Sequence, residues 1–137
     1  MLDQDIAALN NRLFDNIDTE ELQLLVENQP DEVIDNTRVW TRWIIYPGMS
    51  DESAIGSNRV VQYGTATLQI FVPKGLYTGP GNEVRDQFNA LFRGWRSDDR
   101  KLVVDSLKSE QSTYIKNGQE FYLINAKFSW HSVRSPA

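Results

Sequence analysis

From Gln119 to Val133 the chain alternates apolar and polar residues: Tyr122, Ile124, Ala126, Phe128 and Trp130 fall on one face, and Lys127, Ser129 and His131 on the other. A period of two sustained that long marks a strand with one face buried. Such a strand needs neighbours beside it and something packed on its apolar face. Asn117-Gly118 stands just before it, and Asn-Gly favours a tight type I′ turn. Tyr114–Lys116 and Gln119–Val133 are thus read as a hairpin. Arg59–Pro73 is a second long strand, alternating from Ala66 through Leu68, Ile70 and Val72. Val39–Tyr46 is a third, rich in β-branched and aromatic residues. It carries large apolar groups on both faces, so it should be central or covered on one face by a neighbouring subunit. Lys101–Leu107 reads as a further strand; Leu22–Asn28 fits a strand or a helix, with strand favoured.

Two segments show the helical period instead. Leu2, Ile6, Leu9, Leu13 and Ile17 recur at spacings of four and three, with Asp3 and Asp5 in the first turn, where a helix dipole favours carboxylates. Val84, Phe88, Leu91, Phe92 and Trp95 form a second stripe. Gly79-Pro80-Gly81 reads as the turn leading into it, and Arg93, Arg96 and Arg100 suit its C-terminal end. Gln29–Thr37 and Pro47–Asn58 read as loops, the second long enough to suggest function or mobility. The order is α-β-β-β-α-β-β. It predicts one α+β domain over residues 1–137, a mostly antiparallel β-sheet with two α-helices packed on it.

Composition fits a folded domain: 40% of residues are hydrophobic and 11% aromatic. There is no cysteine, which removes disulfides, thiolate metal sites and cysteine nucleophiles together. No secretory leader and no apolar run long enough for a membrane span are evident, so a soluble protein, intracellular when made, is expected, with no membrane partner. Charge is unevenly placed. Residues 1–36 hold ten acids and one base, while the remaining residues hold nine acids and thirteen bases. That asymmetry suits a face of one copy meeting a different face of another.

Catalytic chemistry finds little to build on. The single histidine, His131, lies on the polar face of its strand beside Lys127 and Ser129. Ser129, Ser132 and Ser135 are near in sequence, but neither a second histidine nor a well-placed carboxylate is apparent. Asp51-Glu52 and Asp98-Asp99 are adjacent pairs in predicted loops, which read as turn and solubility residues. Gly79-Pro80-Gly81 lacks the patterns of a phosphate loop. The cluster Arg93, Arg96, Arg100 and Lys101 sits with Trp95, but Asp98 and Asp99 interrupt it. A subunit contact suits it better than nucleic acid. The reading is a non-enzyme without catalytic residues, cofactor or metal.

Together these pieces resemble a known family. The N-terminal helix is followed by Leu-Leu-Val-Glu-Asn-Gln-Pro at residues 24–30. An aromatic strand and a polar loop follow. Next comes Gly-Thr-Ala-Thr-Leu-Gln-Ile-Phe-Val-Pro-Lys-Gly at 64–75, and then a helix with Phe-Asn-Ala-Leu-Phe-Arg at 88–93. The layout is similar to the tail terminator-like proteins of long-tailed bacteriophages over roughly residues 2–133. The resemblance implies an α+β fold and a ring, commonly of six copies, seated on the finished tail tube. Such a ring ends tube polymerisation and presents a surface to the head–tail connector. Its partners would be its own copies, the tube protein and the connector protein, and DNA would pass through it without specific binding. It would belong to the head-proximal end of the virion tail, assembled in the host cytoplasm.

On this reading the candidate assembly contacts are Trp40 and Trp43, Met49, Asp51 and Glu52 of the second loop, Arg93, Arg96 and Arg100, and Lys116 and Asn117 at the hairpin tip. The rival readings are another phage neck or head-closure protein and, from a different class, a small-molecule-binding α+β domain.

Overall fold

The computed structural model describes residues 2–27, 34–52, 59–76 and 79–135. In chain order the elements are α1 (Leu2–Phe14), β1 (Leu24–Val26), β2 (Trp40–Asp51), β3 (Val60–Pro73), α2 (Gly79–Phe92), β4 (Leu102–Lys116) and β5 (Gln119–Arg134). The strands form one five-stranded sheet in the order β1-β2-β3-β5-β4. Only β1 runs parallel to its neighbour. The predicted α+β class and element order are those observed.

Both helices pack on one face of the sheet, and the alternation dictates which. Ala66, Leu68, Ile70 and Val72 of β3 and Ile124, Ala126, Phe128 and Trp130 of β5 meet Leu9 and Leu13 of α1 and Val84, Phe88 and Phe92 of α2. Burying each large side chain contributes roughly 1.5–3 kcal/mol. Trp43 enters this core from β2, with its ring against Phe88 and Phe92, and donates its indole N–H to Asn10 of α1 at 2.8 Å. Gly81 lets α2 sit close: a Cβ there would lie 2.5 Å from Val72 and 3.1 Å from Ile124. Gly79-Pro80-Gly81 is therefore not a turn before the helix but its first turn, a position that tolerates proline. Gly94, at a φ of 66°, follows the end of α2, so Arg96 and Arg100 lie beyond the helix.

The other face is open except at one end. There Trp40 stacks on Phe71 with ring centroids 3.8 Å apart. Leu25, Phe121 and Leu123 complete a second buried cluster, with Ile34 and Tyr114 packed against it. Trp40 thus needs no neighbouring subunit to cover it; Leu25, Ile34, Phe71, Tyr114, Phe121 and Leu123 of the same chain bury it.

Two strands run further than the sequence suggests. β2 continues through Pro47 to Asp51, with a register shift between Pro47 and Ser50. β1 covers β2 only as far as Trp43. Proline is tolerated beyond that point because, among the described residues, the outer edge of β2 has no strand to bond. The expected loop Pro47–Asn58 thereby shrinks, and its residues 53–58, like residues 28–33 of the expected Gln29–Thr37 loop, lie outside the described residues. β4 extends to Lys116 rather than ending at Leu107.

Candidate functional site

The open face carries the groups with chemistry. The register between β4 and β5 shifts between Val104 and Ser106, so that Asp105 is the extra residue of a bulge. A bulge re-aims side chains, and here it brings the Asp105 carboxylate within 2.8 Å of His131 Nδ1. The Ser106 and Ser129 hydroxyls meet at 3.0 Å one register step along. The histidine ring lies 6.3 Å from that of Tyr63. His131 thus has the carboxylate partner that the sequence did not reveal. The signal was absent because the pairing depends on a bulge deep in the β4–β5 hairpin, far from its turn, that shifts the register by one residue. Among the described residues no serine hydroxyl hydrogen-bonds to the ring, so the pair orients the imidazole without forming a nucleophile relay.

A second polar cluster lies where α1 meets the end of β5. Asp5 is fully buried and accepts from Arg134 Nε at 2.8 Å and from the Ser132 hydroxyl at 2.6 Å. Arg134 Nη1 donates to Asp99 at 2.6 Å. Asp99 also accepts from the Ser97 hydroxyl and from the backbone N–H of Lys101. These bonds, Ser97 first and Arg134 next, hold the Asp99 carboxyl well below the usual carboxylate range. Burial works against the Arg134 charge, but its bonds to Asp99 and Asp5 outweigh it and raise Arg134 above its ordinary value. Asp5 stands in the first turn of α1, as the sequence predicts, and is in addition half of a buried ion pair that the sequence does not show.

The proposed contact residues divide sharply. Trp40 and Trp43 are 0% and 1% exposed and engaged in the chain's own two cores, which corrects their reading as contacts with another copy. Met49 is 69% exposed, and on the same hairpin arm Tyr46 and Tyr63 are also exposed. Asp51 and Glu52 stand at the end of that arm in solvent. Lys116 reaches back over the Trp40 ring at 5.0 Å. Asn117 and Gly118 both have positive φ, as the predicted type I′ turn requires. Arg93, Arg96, Arg100 and Lys101 are all exposed, and none has an ion-pair partner among the described residues. The same holds for Asp15, Glu20, Glu21 and Glu27, while Asp18 accepts from the N–H groups of Glu20 and Glu21.

Arg12 bridges the two helices. It donates to the Leu91 carbonyl at 2.9 and 3.2 Å, and its guanidinium lies 5.7 Å from the Trp95 ring. Open clefts flank it, one toward Ser97 and Asp99 and one toward Leu22 and Val84. Among the described residues no three acidic or histidine side chains are grouped to hold a metal ion. Nor is any described helix long and apolar enough to cross a membrane.

No protein-family model matches the chain, and no curated protein matches it. Seven solved chains match it in structure. One of them superposes with a TM-score of 0.71 over 100% of this chain and 99% of its own, at 18% sequence identity. At that identity the likeness establishes a shared fold: an α+β domain of this size and layout that spans both chains whole.

Proposed function

We propose that this chain is a structural protein of a long-tailed bacteriophage that caps the tail tube as a ring of like subunits. The ring ends tube growth and offers the surface on which the head connector docks. The observation that carries this reading, beside the family resemblance of the chain layout, is the pair of unmatched charged surfaces. Arg93, Arg96, Arg100 and Lys101 crowd one exposed turn, and Asp15, Glu20, Glu21 and Glu27 crowd another stretch, with no ion pairs for either set among the described residues. Unlike patches on one surface suit a heterologous contact, the kind that closes into a ring. The β2–β3 arm, with Tyr46, Met49 and Tyr63 exposed, suits a partner that buries apolar surface, the tube or the connector protein.

The test is electron microscopy of particles assembled without this protein. Overlong tails bear out a terminator. Full heads that leak DNA favour the second reading, a head-closure protein of the neck, which the same two surfaces also fit. Normal particles that infect normally overturn both.

A further inference from the structure

We infer that two copies of this chain join through their β4 edges, antiparallel about a two-fold axis at Gln111, giving a sheet continuous across both copies. This contact is separate from the ring contact and stands without it.

β4 is an outer strand of the sheet. Its first residues are already covered within the chain: Ser97 N–H donates to Leu102 O at 3.0 Å, Val104 N–H donates to Trp95 O at 3.1 Å, and Arg96 bridges to Val103. After the bulge at Asp105 nothing among the described residues bonds to the outer backbone of Ser106–Lys116. Alternate N–H and C=O groups there are free to template another strand. Proteins blunt such edges with proline, bulges or short strands. Ser106–Lys116 has no proline, glycine or register shift, only Lys108 and Lys116. The opposite side of the sheet is blunted: β1 is 3 residues long, and the uncovered part of β2 carries Pro47 and a shift. Of the two edges that this chain offers, the one that matches β4 in length and lacks proline is β4 itself.

The side chains select one register. In a continuous sheet, directly opposed residues share a face, so the axis passes through a residue. On Glu110 it would set two glutamates against each other. On Ser112 it would set Lys108 against Lys116 of the second copy. On Ser109 or earlier it would drive the second copy's Tyr114–Lys116 into Trp95–Ser97. On Thr113 or later it would leave Ser106–Ser109 of each copy unpaired. On Gln111 none of these arises. Lys108 then faces Tyr114 of the second copy, Glu110 faces Ser112, and Ser109 faces Thr113. Leu107 covers Ile115, which is 67% exposed in the single chain.

Because the chain has no cysteine, a single introduced thiol reports the contact cleanly. Gln111 and Ser109 are both exposed, so neither Gln111→Cys nor Ser109→Cys disturbs folding. Under mild oxidation Gln111→Cys is expected to convert mostly to a disulfide dimer. Ser109→Cys stays monomeric, since the axis sets its two thiols about 13 Å apart along the strands, beyond the ~7 Å Cα limit for a bridge. Leu107→Cys and Ile115→Cys should cross-link when mixed and not alone. Gln111→Cys cross-linking no faster than Ser109→Cys overturns the inference. Tail phenotypes bear only on the ring, so the two readings fail separately.

Discussion

Asp5, in the first turns of α1, and Arg134, the final residue of β5, form an ion pair at 2.8 Å with the carboxylate wholly buried. Removing Arg134 leaves the Asp5 carboxylate in the interior without a cation, which typically costs about 3–5 kcal/mol. Arg134→Ala should therefore lose stability on that scale in urea unfolding, and Asp5→Ala should lose less, because Arg134 keeps Asp99 as a partner. Replacing both, Asp5→Leu with Arg134→Met, should cost less than Arg134→Ala alone. A loss under about 1 kcal/mol for Arg134→Ala would mean that solvent reaches the pair.

Asp99 adds a pH dependence to the same network. Its folded pKa lies below the ordinary 3.8, so its contribution is fully present above that value. It is lost as pH falls through the folded pKa. The stability gap between the wild type and Asp99→Asn should be constant from neutral pH down to about pH 5 and narrow below about pH 4. Unfolding curves at stepped pH read this directly, and a gap that widens with acid would contradict it.

Gly64 faces Trp130 across the β3–β5 pair. A Cβ there would overlap the indole and lie 2.8 Å from the Tyr46 carbonyl oxygen. Gly64→Ala should destabilise by about 3 kcal/mol, the upper end for overpacking, and blue-shift or quench the tryptophan emission. Gly81→Ala should also destabilise, because the Val72 methyl it would meet at 2.5 Å belongs to a stiff, buried side chain.

Trp40→Ala should cost about 3–5 kcal/mol, as for other large buried aromatics, although the residue lies on the face without helices. A loss within ~0.5 kcal/mol, the scale of a surface change, would return Trp40 to the exposed contacts.

Arg96→Glu with Arg100→Glu should leave the unfolding free energy within about 0.5 kcal/mol of wild type, since both side chains are exposed and have no ion-pair partner among the described residues. Assembly on tail tubes should fail and return when Glu20 and Glu21 are changed to Lys. Sedimentation with purified tubes measures it.

Much of the fold was legible in the sequence because burial imposes a period. β5 and the second half of β3 have one face under helices, and their alternation follows. The later part of β4 was not legible. Its residues Lys108–Thr113 are exposed on both faces, so nothing requires apolar side chains there and the stretch reads as a polar connection. Trp40 and Trp43 looked alike as large groups on one strand; their roles divide only once β1 is seen folded against Trp40 and α2 over Trp43. Asp105 and His131 are joined by a register shift that no local pattern announces.

β5 is made after every other strand, yet it lies inside the sheet between β3 and β4. Without residues 119–134, β3 has only β2 beside it, β4 beyond Asp105 has no strand to bond among the described residues, and Asp5 lacks Arg134. β1, β2 and β3 can still pair, but the core under the helices loses Ile124, Ala126, Phe128 and Trp130 from its middle. A chain stopped before Gln119 is accordingly a substrate for chaperones and proteases, not a smaller domain.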